Sequence, residues 1–278
     1  MQGVQEKVLE IFKEIKKICE DNGLRYYAIG GTALGAVRHN GFIPWDDDLD
    51  IAMPLEDYNR FFEIAEQYLP TNLKIRFSRE QKYSTIFFDK IQNIDTTFIE
   101  KIELSHPEIY KGVFVDIAPL VDIPNNKVLQ KLFSVENKLL LKICENKYFP
   151  FSDCNTGRQR LYYVLTFVVS KTLSNNVLHR LWMFNVRKYG LFKSDYTGYA
   201  WIDFNESQIF KKTWFDSYIE LPFEDTMMRL PIGYKEMLSN LFGNYMVLPA
   251  ETDRISHSNG LIDLTHPFKY YIDKLIQE

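Results

Sequence analysis

The chain has 278 residues, of which 46% are apolar and 25% are charged, and its formal net charge is -4. These values are close to those of average soluble globular proteins, and the length suits one elaborated domain or a core with a smaller appended part. The first twenty residues lack the apolar core of a signal peptide. The longest apolar run, residues 161–170, is about half of the roughly 20 residues needed to cross a bilayer. We therefore expect a cytoplasmic protein that does not span a membrane.

In chain order, the first elements are a helix, a short strand and a second helix. Apolar residues recur at helical spacing from Val4 to Ile18, and Asn22-Gly23 indicates a helix stop. A short strand is predicted over Arg25–Ile29. The next helix is predicted over Thr32–His39, with Thr32 as its N-cap. Residues 48–52 alternate as a strand would, and residues 56–68 predict a helix.

The remaining pattern predicts strands first and mostly helices afterwards. The predicted strands are Leu73–Phe77, Thr85–Ile91, Thr96–Ile102 and Gly112–Ile117. The predicted helices are Lys127–Tyr148, Arg158–Leu173, Val177–Tyr189 and Tyr234–Leu241. This order indicates an α+β protein: a mixed β-sheet core flanked by helices, with a mostly helical middle and C-terminal part. We place the division near residue 125, with a catalytic core over 1–124 and a helical acceptor or lid region over 125–278 that is packed on the core.

The charges are unevenly distributed along the chain. Between Asn155 and Lys193 there is no acidic residue, and seven basic residues occur: Arg158, Arg160, Lys171, Arg180, Arg187, Lys188 and Lys193. Such a segment indicates either an anionic partner or a solvated helix face. Aromatic residues interleave with these charges, a composition that suits peripheral contact with an anionic membrane at its inner face. Packing of these helices on the core explains the apolar residues equally well.

Four aspartates lie within five residues, namely Asp46, Asp47, Asp48 and Asp50. Their mutual repulsion is unfavourable unless cations neutralise it. On a strand, Asp48 and Asp50 would project from the same face and could bind Mg²⁺, which prefers oxygen ligands. Asp116, an acid in the apolar run GVFVDI, is the natural third ligand. The alternative is an acidic surface turn.

A glycine pair precedes these acids. Gly30-Gly31-Thr32 lies between a predicted strand and a predicted helix. Glycines allow close approach of the backbone to a phosphate, and a helix N-terminus favours an anion. A tight turn would explain the glycines alone, but the acids that follow make the pattern more specific. Other catalytic motifs are missing, since the sequence contains no HExxH, GxSxG or Walker A motif and its five histidines lack zinc spacing.

The order Gly-Gly, Asp-x-Asp and a third strand acid resembles the nucleotidyltransferase fold of DNA polymerase beta. The stretch GGTALGAVRHNGFIPWDDDLDIAM resembles, more narrowly, the signature of the LicD family, bacterial phosphocholine transferases related to fukutin-type enzymes. Three further stretches are similar to that family: Asp89–Glu100, Phe114–Asp122 and Leu230–Pro249. Residues 126–218 match no motif of the family.

The resemblance implies a nucleotidyltransferase-like core, Mg²⁺ (with Mn²⁺ as a substitute) and a CDP-linked donor, CDP-choline first. A phosphorylated headgroup would pass to a hydroxyl of a cell-surface glycan or its precursor, such as lipopolysaccharide, teichoic acid or capsular polysaccharide, and CMP would leave. Nucleic acid is not an expected partner. Ethanolamine, ribitol and glycerol headgroups remain open.

The resemblance and the residues together suggest roles. Asp48, Asp50 and Asp116 are the predicted catalytic metal ligands, with Asp46 as a further ligand. The predicted donor-binding residues are Gly30, Gly31, Thr32, Arg38, His39 and Lys90. Arg38 could equally form a structural ion pair, and Lys90 could be a strand-edge lysine. His257 is better explained as a surface histidine.

Two other functions remain open. A nucleotidyltransferase that transfers NMP from an NTP to a small molecule would share the Gly-Gly and three-acid pattern. The PWDDDLDI signature and the C-terminal block favour the LicD-like function instead. A binding module that has lost catalysis is the third hypothesis, and the intact acid set argues against it.

Overall fold

The computed structural model describes residues 2–81, 88–104, 106–147, 156–191, 194–199, 206–254 and 260–277. They form two compact units. The first contains residues 1–76, 89–120 and 212–278, and the second contains residues 77–88 and 121–211. This grouping puts the C-terminal residues with the first unit, whereas the sequence suggested one break near residue 125. The division into catalytic and acceptor regions stays a prediction.

The first unit mixes helices and strands, which agrees with the predicted α+β class. Its helices are α1 (Gln2–Asp21), α2 (Gly30–His39), α3 (Leu55–Tyr68), α7 (Tyr234–Phe242) and α8 (Phe268–Gln277). Its strands are β1 (Tyr27–Ala28), β2 (Asp50–Pro54), β3 (Leu73–Arg76), β4 (Asp89–Asn93), β5 (Thr97–Ile99), β6 (Phe114–Ile123, as far as Leu120), β9 (Tyr218–Phe223), β10 (Thr226–Pro231) and β11 (Leu261–Asp263).

A mixed sheet organises the first unit in the order β1-β2-β6-β4-β3. Strands β2 and β6 are parallel, whereas β1 with β2, β6 with β4 and β4 with β3 are antiparallel. The central strands are almost wholly buried because apolar residues fill both of their faces. Helix α1 contributes the fully buried side chains of Ile11, Phe12 and Ile15. Their helical spacing explains why the sequence predicted this helix correctly.

The second unit is mainly helical. It contains α4 (Lys127–Glu145), α5 (Gly157–Thr172) and α6 (Asn175–Gly190), together with the antiparallel strands β7 (Tyr196–Tyr199) and β8 (Phe210–Lys211). Its core is built around Phe133, Leu178 and Trp182. Both α5 and α6 begin with a side-chain cap, from Thr156 and Ser174 respectively. The three helices predicted for this part of the chain are therefore present.

Several predicted boundaries were wrong. Helix α2 starts at Gly30, with Ile29 as its N-cap, so Thr32 is not the cap. Strand β2 starts at Asp50, so Asp48 lies in the preceding irregular segment and not on the strand. The antiparallel hairpin of β9 and β10 was not predicted. Part of the predicted strand at Thr85–Ile91, and His257, lie outside the described residues. No helix in the described ranges is both long and apolar enough to cross a membrane.

Candidate active site

Asp50 and Asp116 are direct neighbours in the first unit. They are paired in the parallel register of β2 and β6, and both side chains are buried. Paired residues on adjacent strands project from the same face of a sheet, so the two carboxylates share one site. Two carboxylates in one poorly solvated place disfavour the charged form of each other. The two carboxylates therefore repel each other when both are charged, and a bound cation would reduce this repulsion.

The ionisation of Asp50 reflects this environment. Burial raises the pKa of Asp50 well above its usual range, and the charges of Asp48 and Asp116 raise it further, whereas Lys90 lowers it. The Oδ1 atom of Asp50 is buried and has no hydrogen-bond partner among the described residues. A buried carboxylate oxygen without a partner is unfavourable and requires an explanation such as an ion.

Lys90 contacts one member of the acid pair, Asp116. It lies opposite Asp116 in the antiparallel register of β4 and β6, and its Nζ donates a short hydrogen bond to Asp116 Oδ1. The same Nζ lies 3.8 Å from the centre of the Phe114 ring. Burial raises the pKa of Asp116, and the charge and hydrogen bond of Lys90 oppose this rise. Because β4 lies between β6 and β3, Lys90 is not a strand-edge lysine.

The N-terminus of α2 faces the same acids. A Cβ atom added to Gly30 would lie 3.9 Å from Asp50 Oδ2, and one added to Gly31 would lie 2.6 Å from Asp46 Oδ2. Gly31 therefore has to be glycine for the Asp46 carboxylate to come this close. Gly30 has a φ of +53°, which glycine adopts without strain. The N-cap Ile29 provides no side-chain cap, and the N-terminus of a helix favours an anion.

Thr32 has a positioning role that the sequence did not reveal. Its side chain is buried, and its Oγ1 accepts a 2.8 Å hydrogen bond from the backbone N–H of Asp50. The carbonyl of Asp50 in turn accepts a hydrogen bond from the N–H of Ile29. These two bonds fix the start of β2 against the start of α2. The acid and the glycine pair are thus held together by hydrogen bonds as well as by the sheet.

The acidic turn before β2 is held from two distant parts of the chain. The side-chain amide of Gln5 donates hydrogen bonds to the carbonyls of Asp46 (2.7 Å) and Ile43 (3.3 Å). Glu224, in the turn of the β9–β10 hairpin, accepts a hydrogen bond of 3.0 Å from the N–H of Phe42. Sequence reasoning missed both residues, because neither lies in a motif. Burial raises the pKa of Asp46, and a hydrogen bond with Asp48 opposes that rise.

Arg38 and His39 lie at the other end of α2, roughly 12 Å along the helix axis from Gly30. Arg38 donates hydrogen bonds to the carbonyl of Tyr245 and to Nε2 of His39. Burial, followed by the charge of Arg38, lowers the pKa of His39. Among the described residues, these contacts connect Arg38 to the C-terminal segment and not to the acids. A donor-binding role for the two residues stays a prediction.

The donor atoms at the site suit Mg²⁺ in chemical type. Carboxylate oxygens are its preferred ligands, and it is commonly held by one or two carboxylates with waters completing the shell. The unpartnered Oδ1 of Asp50 fits this requirement. Within the part of the chain that the structure describes, no group of three acidic, histidine or cysteine side chains is ready to enclose a metal. The larger ligand set of Asp46, Asp48, Asp50 and Asp116 therefore stays a prediction.

Comparison with known proteins identifies relatives that carry this region. Residues 23–163 match the family described as LicD/FKTN/FKRP, nucleotidyltransferase domain. The lipopolysaccharide cholinephosphotransferase LicD of Haemophilus influenzae is 28% identical over 256 residues, which cover 90% of this chain and 92% of that protein. The ribitol 5-phosphate transferase FKRP of Homo sapiens is 44% identical over 48 residues, which cover 17% of this chain and 10% of FKRP.

Proposed function

Because the chain belongs to the LicD/FKTN/FKRP nucleotidyltransferase-domain family, we propose that it transfers a phosphorylated headgroup from a CDP-linked donor to a hydroxyl of a cell-surface glycan or its precursor. Phosphocholine is the headgroup we propose, because the relative that aligns with most of the chain is named a cholinephosphotransferase. FKRP is named for ribitol 5-phosphate transfer but aligns over only 48 residues. The similarity to FKRP therefore supports the transfer of a phosphate-linked group but does not identify the headgroup.

The observation that carries this proposal is the buried pair of Asp50 and Asp116 beside the uncapped N-terminus of α2. Phosphoryl transfer requires that negative charge be positioned and neutralised. Backbone N–H groups of Gly30, Gly31 and Thr32 would bind a donor phosphate through the favourable end of the helix dipole. The carboxylates supply what a divalent cation needs, and the cation and the N–H groups would bind the same phosphates.

Asp48, Asp50 and Asp116 would hold Mg²⁺, with Asp46 beside them. When bound, the metal supplies positive charge that stabilises the charge developing on the phosphate oxygens. Lys90 now neutralises Asp116 directly. Since the ammonium group also lies over Phe114, its position is fixed by two contacts and can orient the carboxylate.

In the reaction, the acceptor hydroxyl oxygen forms a bond with the phosphorus that carries the headgroup. The bond between that phosphorus and the bridging oxygen breaks, and CMP leaves with that oxygen. The hydroxyl proton passes to a carboxylate, for which Asp116 is our candidate.

A donor panel tests the proposal. Thermal stability of the purified chain would be measured with CDP-choline, CDP-ribitol, CDP-glycerol, CTP and ATP, each with and without Mg²⁺. A ligand present at 100 times its Kd stabilises a protein by about 2.7 kcal/mol, which is visible as a melting shift. We expect a Mg²⁺-dependent shift with CDP-choline and release of CMP when an acceptor glycan is added. Consumption of CTP or ATP with release of pyrophosphate would contradict the proposal in favour of NMP transfer.

Asp48→Asn provides the matching variant test. We expect it to abolish CMP release while the protein remains folded. Asp225→Asn is the control, because Asp225 is an exposed aspartate whose partner is Lys13 on α1. It should retain activity. A fully active Asp48→Asn protein would remove Asp48 from the metal site.

A further inference from the structure

Helix α5 of the second unit has its apolar and polar sides reversed. Leu161, Val164, Leu165 and Val168 are between 60% and 67% exposed. Thr166 and Ser170 on the same helix are only 2% exposed. A surface helix of a globular protein normally buries its apolar stripe against the core and exposes its polar side to water. The exposed apolar face of α5 therefore requires a partner other than water.

Specific contacts hold α5 in this orientation. The buried Thr166 Oγ1 accepts a short hydrogen bond from the side-chain amide of Asn146, which follows α4. Ser170 Oγ donates a 2.7 Å hydrogen bond within α5, to the carbonyl of Phe167, which satisfies this buried hydroxyl without orienting the helix. Val169, between them, packs partly buried against the core of the second unit. Both buried hydroxyl groups are satisfied, so the outward direction of the aliphatic side chains follows from favourable contacts of the inner face.

The exposed aliphatic residues form one continuous stripe. Positions 161, 164, 165 and 168 are three or four residues apart, a spacing that places side chains on a single face of a helix. We call this stripe of Leu161, Val164, Leu165 and Val168 the α5 face. Exposed apolar residues that are scattered singly need no explanation, but a contiguous patch marks an interaction site.

Charge indicates the kind of partner. Arg158 and Arg160 in the first turn of α5 and Lys171 in its last turn are all exposed, and residues 156–191 include no acidic residue. Helix α6 repeats the pattern, with Leu181 and Phe184 exposed beside basic side chains. A second copy of the chain docked symmetrically on the α5 face would bring like charges together. An anionic surface with an apolar interior matches both properties.

We propose that the α5 face binds the surface of an anionic lipid bilayer, with the helix lying in the plane of the membrane. The aliphatic side chains enter the boundary between headgroups and acyl chains, and the arginines at the end of the helix contact lipid phosphates. The helix does not cross the bilayer, in keeping with its 16 residues. This inference concerns binding and goes beyond the proposed transfer reaction, so a test without donor or acceptor separates the two.

The experiment is flotation of the full chain with vesicles of phosphatidylcholine alone or with phosphatidylglycerol added, at low and high salt. We expect co-flotation only with the anionic vesicles, and weaker binding at high salt. Val168→Glu (67% exposed) should lower the partition coefficient at least tenfold. The matched control is Val247→Glu, because Val247 is a similarly exposed valine of the first unit (63%) and should float as the unmodified chain does. Arg158→Gln and Arg160→Gln should each lower the coefficient by about fivefold.

Four outcomes would overturn the proposal. Absence of co-flotation at low salt would show that the face does not bind lipid. Equal binding to neutral and anionic vesicles would show that charge does not contribute to binding. No effect of Val168→Glu would show that the α5 face does not take part. Analytical sedimentation of the protein without vesicles tests the other possible partner of the α5 face, a second copy of the chain. A concentration-dependent dimer that Val168→Glu dissociates would assign the face to a second copy of the chain.

Discussion

In the first unit, acidic side chains are buried beside one another, whereas in the second unit aliphatic side chains are exposed on a basic helix. Asp50 and Asp116 are at most 9% exposed, and Val168 is 67% exposed. Both arrangements are unfavourable in water alone, by desolvation and repulsion in one case and by apolar hydration in the other. We propose that a bound cation offsets the first cost and that a lipid surface offsets the second. On this proposal, departures from ordinary burial indicate where the protein binds something other than water.

The largest effect is expected at the acid pair, where a substitution should lower turnover without lowering the melting temperature. Asp50→Asn should lower turnover about a hundred- to a thousandfold, because a group that stabilises charge in the transition state is lost. The melting temperature should stay the same or rise, since burial and the charges of Asp48 and Asp116 disfavour the Asp50 carboxylate in the folded protein. Steady-state CMP release and thermal melts would measure the two quantities on the same samples. A melting temperature several degrees lower would contradict the view that this carboxylate is retained at a cost to stability.

The next effect concerns the second unit and pH. His179 is buried, and burial, with a smaller contribution from the charge of Arg79, lowers its pKa from 6.5 to about 4. The unfolded chain then binds a proton more readily than the folded chain between these values. Stability from this residue is full above pH 6.5 and is lost as the pH falls toward 4, by up to about 3 kcal/mol. Urea denaturation at several pH values would measure the loss. His179→Gln should flatten the dependence in this range, and an unchanged slope would refute the assignment.

A smaller effect is expected at a tight backbone contact in the first unit. A Cβ atom added to Gly35 of α2 would lie 2.4 Å from the carbonyl oxygen of Gly41. Gly35→Ala should therefore shift the loop that leads to the acids and destabilise the protein by about 1 to 3 kcal/mol. Chemical denaturation would measure the change, and CMP release should fall with it. Stability equal to that of the unmodified chain would show that the loop moves freely.

The smallest effect is the matching substitution in the second unit. Gly157 begins α5, and a Cβ atom there would meet nothing within 4 Å. Gly157→Ala should stabilise the protein by about 0.4 to 1 kcal/mol, because alanine restricts the unfolded chain. Changes of opposite sign in the free energy of unfolding for Gly35→Ala and Gly157→Ala would show that the backbone is closely packed at the start of the candidate site but not at the start of α5. Destabilisation by Gly157→Ala would instead indicate contacts around the start of α5.

The sequence predicted the elements that repeat a simple pattern. Helices α1 and α3 to α7 were located because apolar residues recur on one face. Asp116 was identified because an acid interrupts an apolar strand. The start of α2 was misplaced, because Thr32 has the chemistry of an N-cap but its hydroxyl accepts a hydrogen bond from the N–H of Asp50. That choice depends on a strand 18 residues further along, which local reasoning does not see.

Long-range contacts account for the other differences. The sequence could not show whether Lys90 lay on an edge strand, and the strand order places β4 inside the sheet. Its donor-binding role stays a prediction. The roles of Gln5 and Glu224 depend on chain segments brought together from opposite ends of the sequence. In α5, the sequence shows apolar and basic residues but not which of them face outward. Burial of Thr166 and Ser170 decides that point.

The contact between Glu224 and the N–H of Phe42 joins residues 182 positions apart. During synthesis, the acidic turn can therefore be completed only after Glu224 has been made. At roughly 5 to 20 residues per second, the glycine pair and the acids wait on the order of ten seconds or more for the hairpin that secures them. Nascent chains that stop before β9 would contain every aspartate of the predicted site and still lack the contact that Glu224 makes with the turn. The acidic turn thus gains its full set of contacts only after the β9–β10 hairpin has been made.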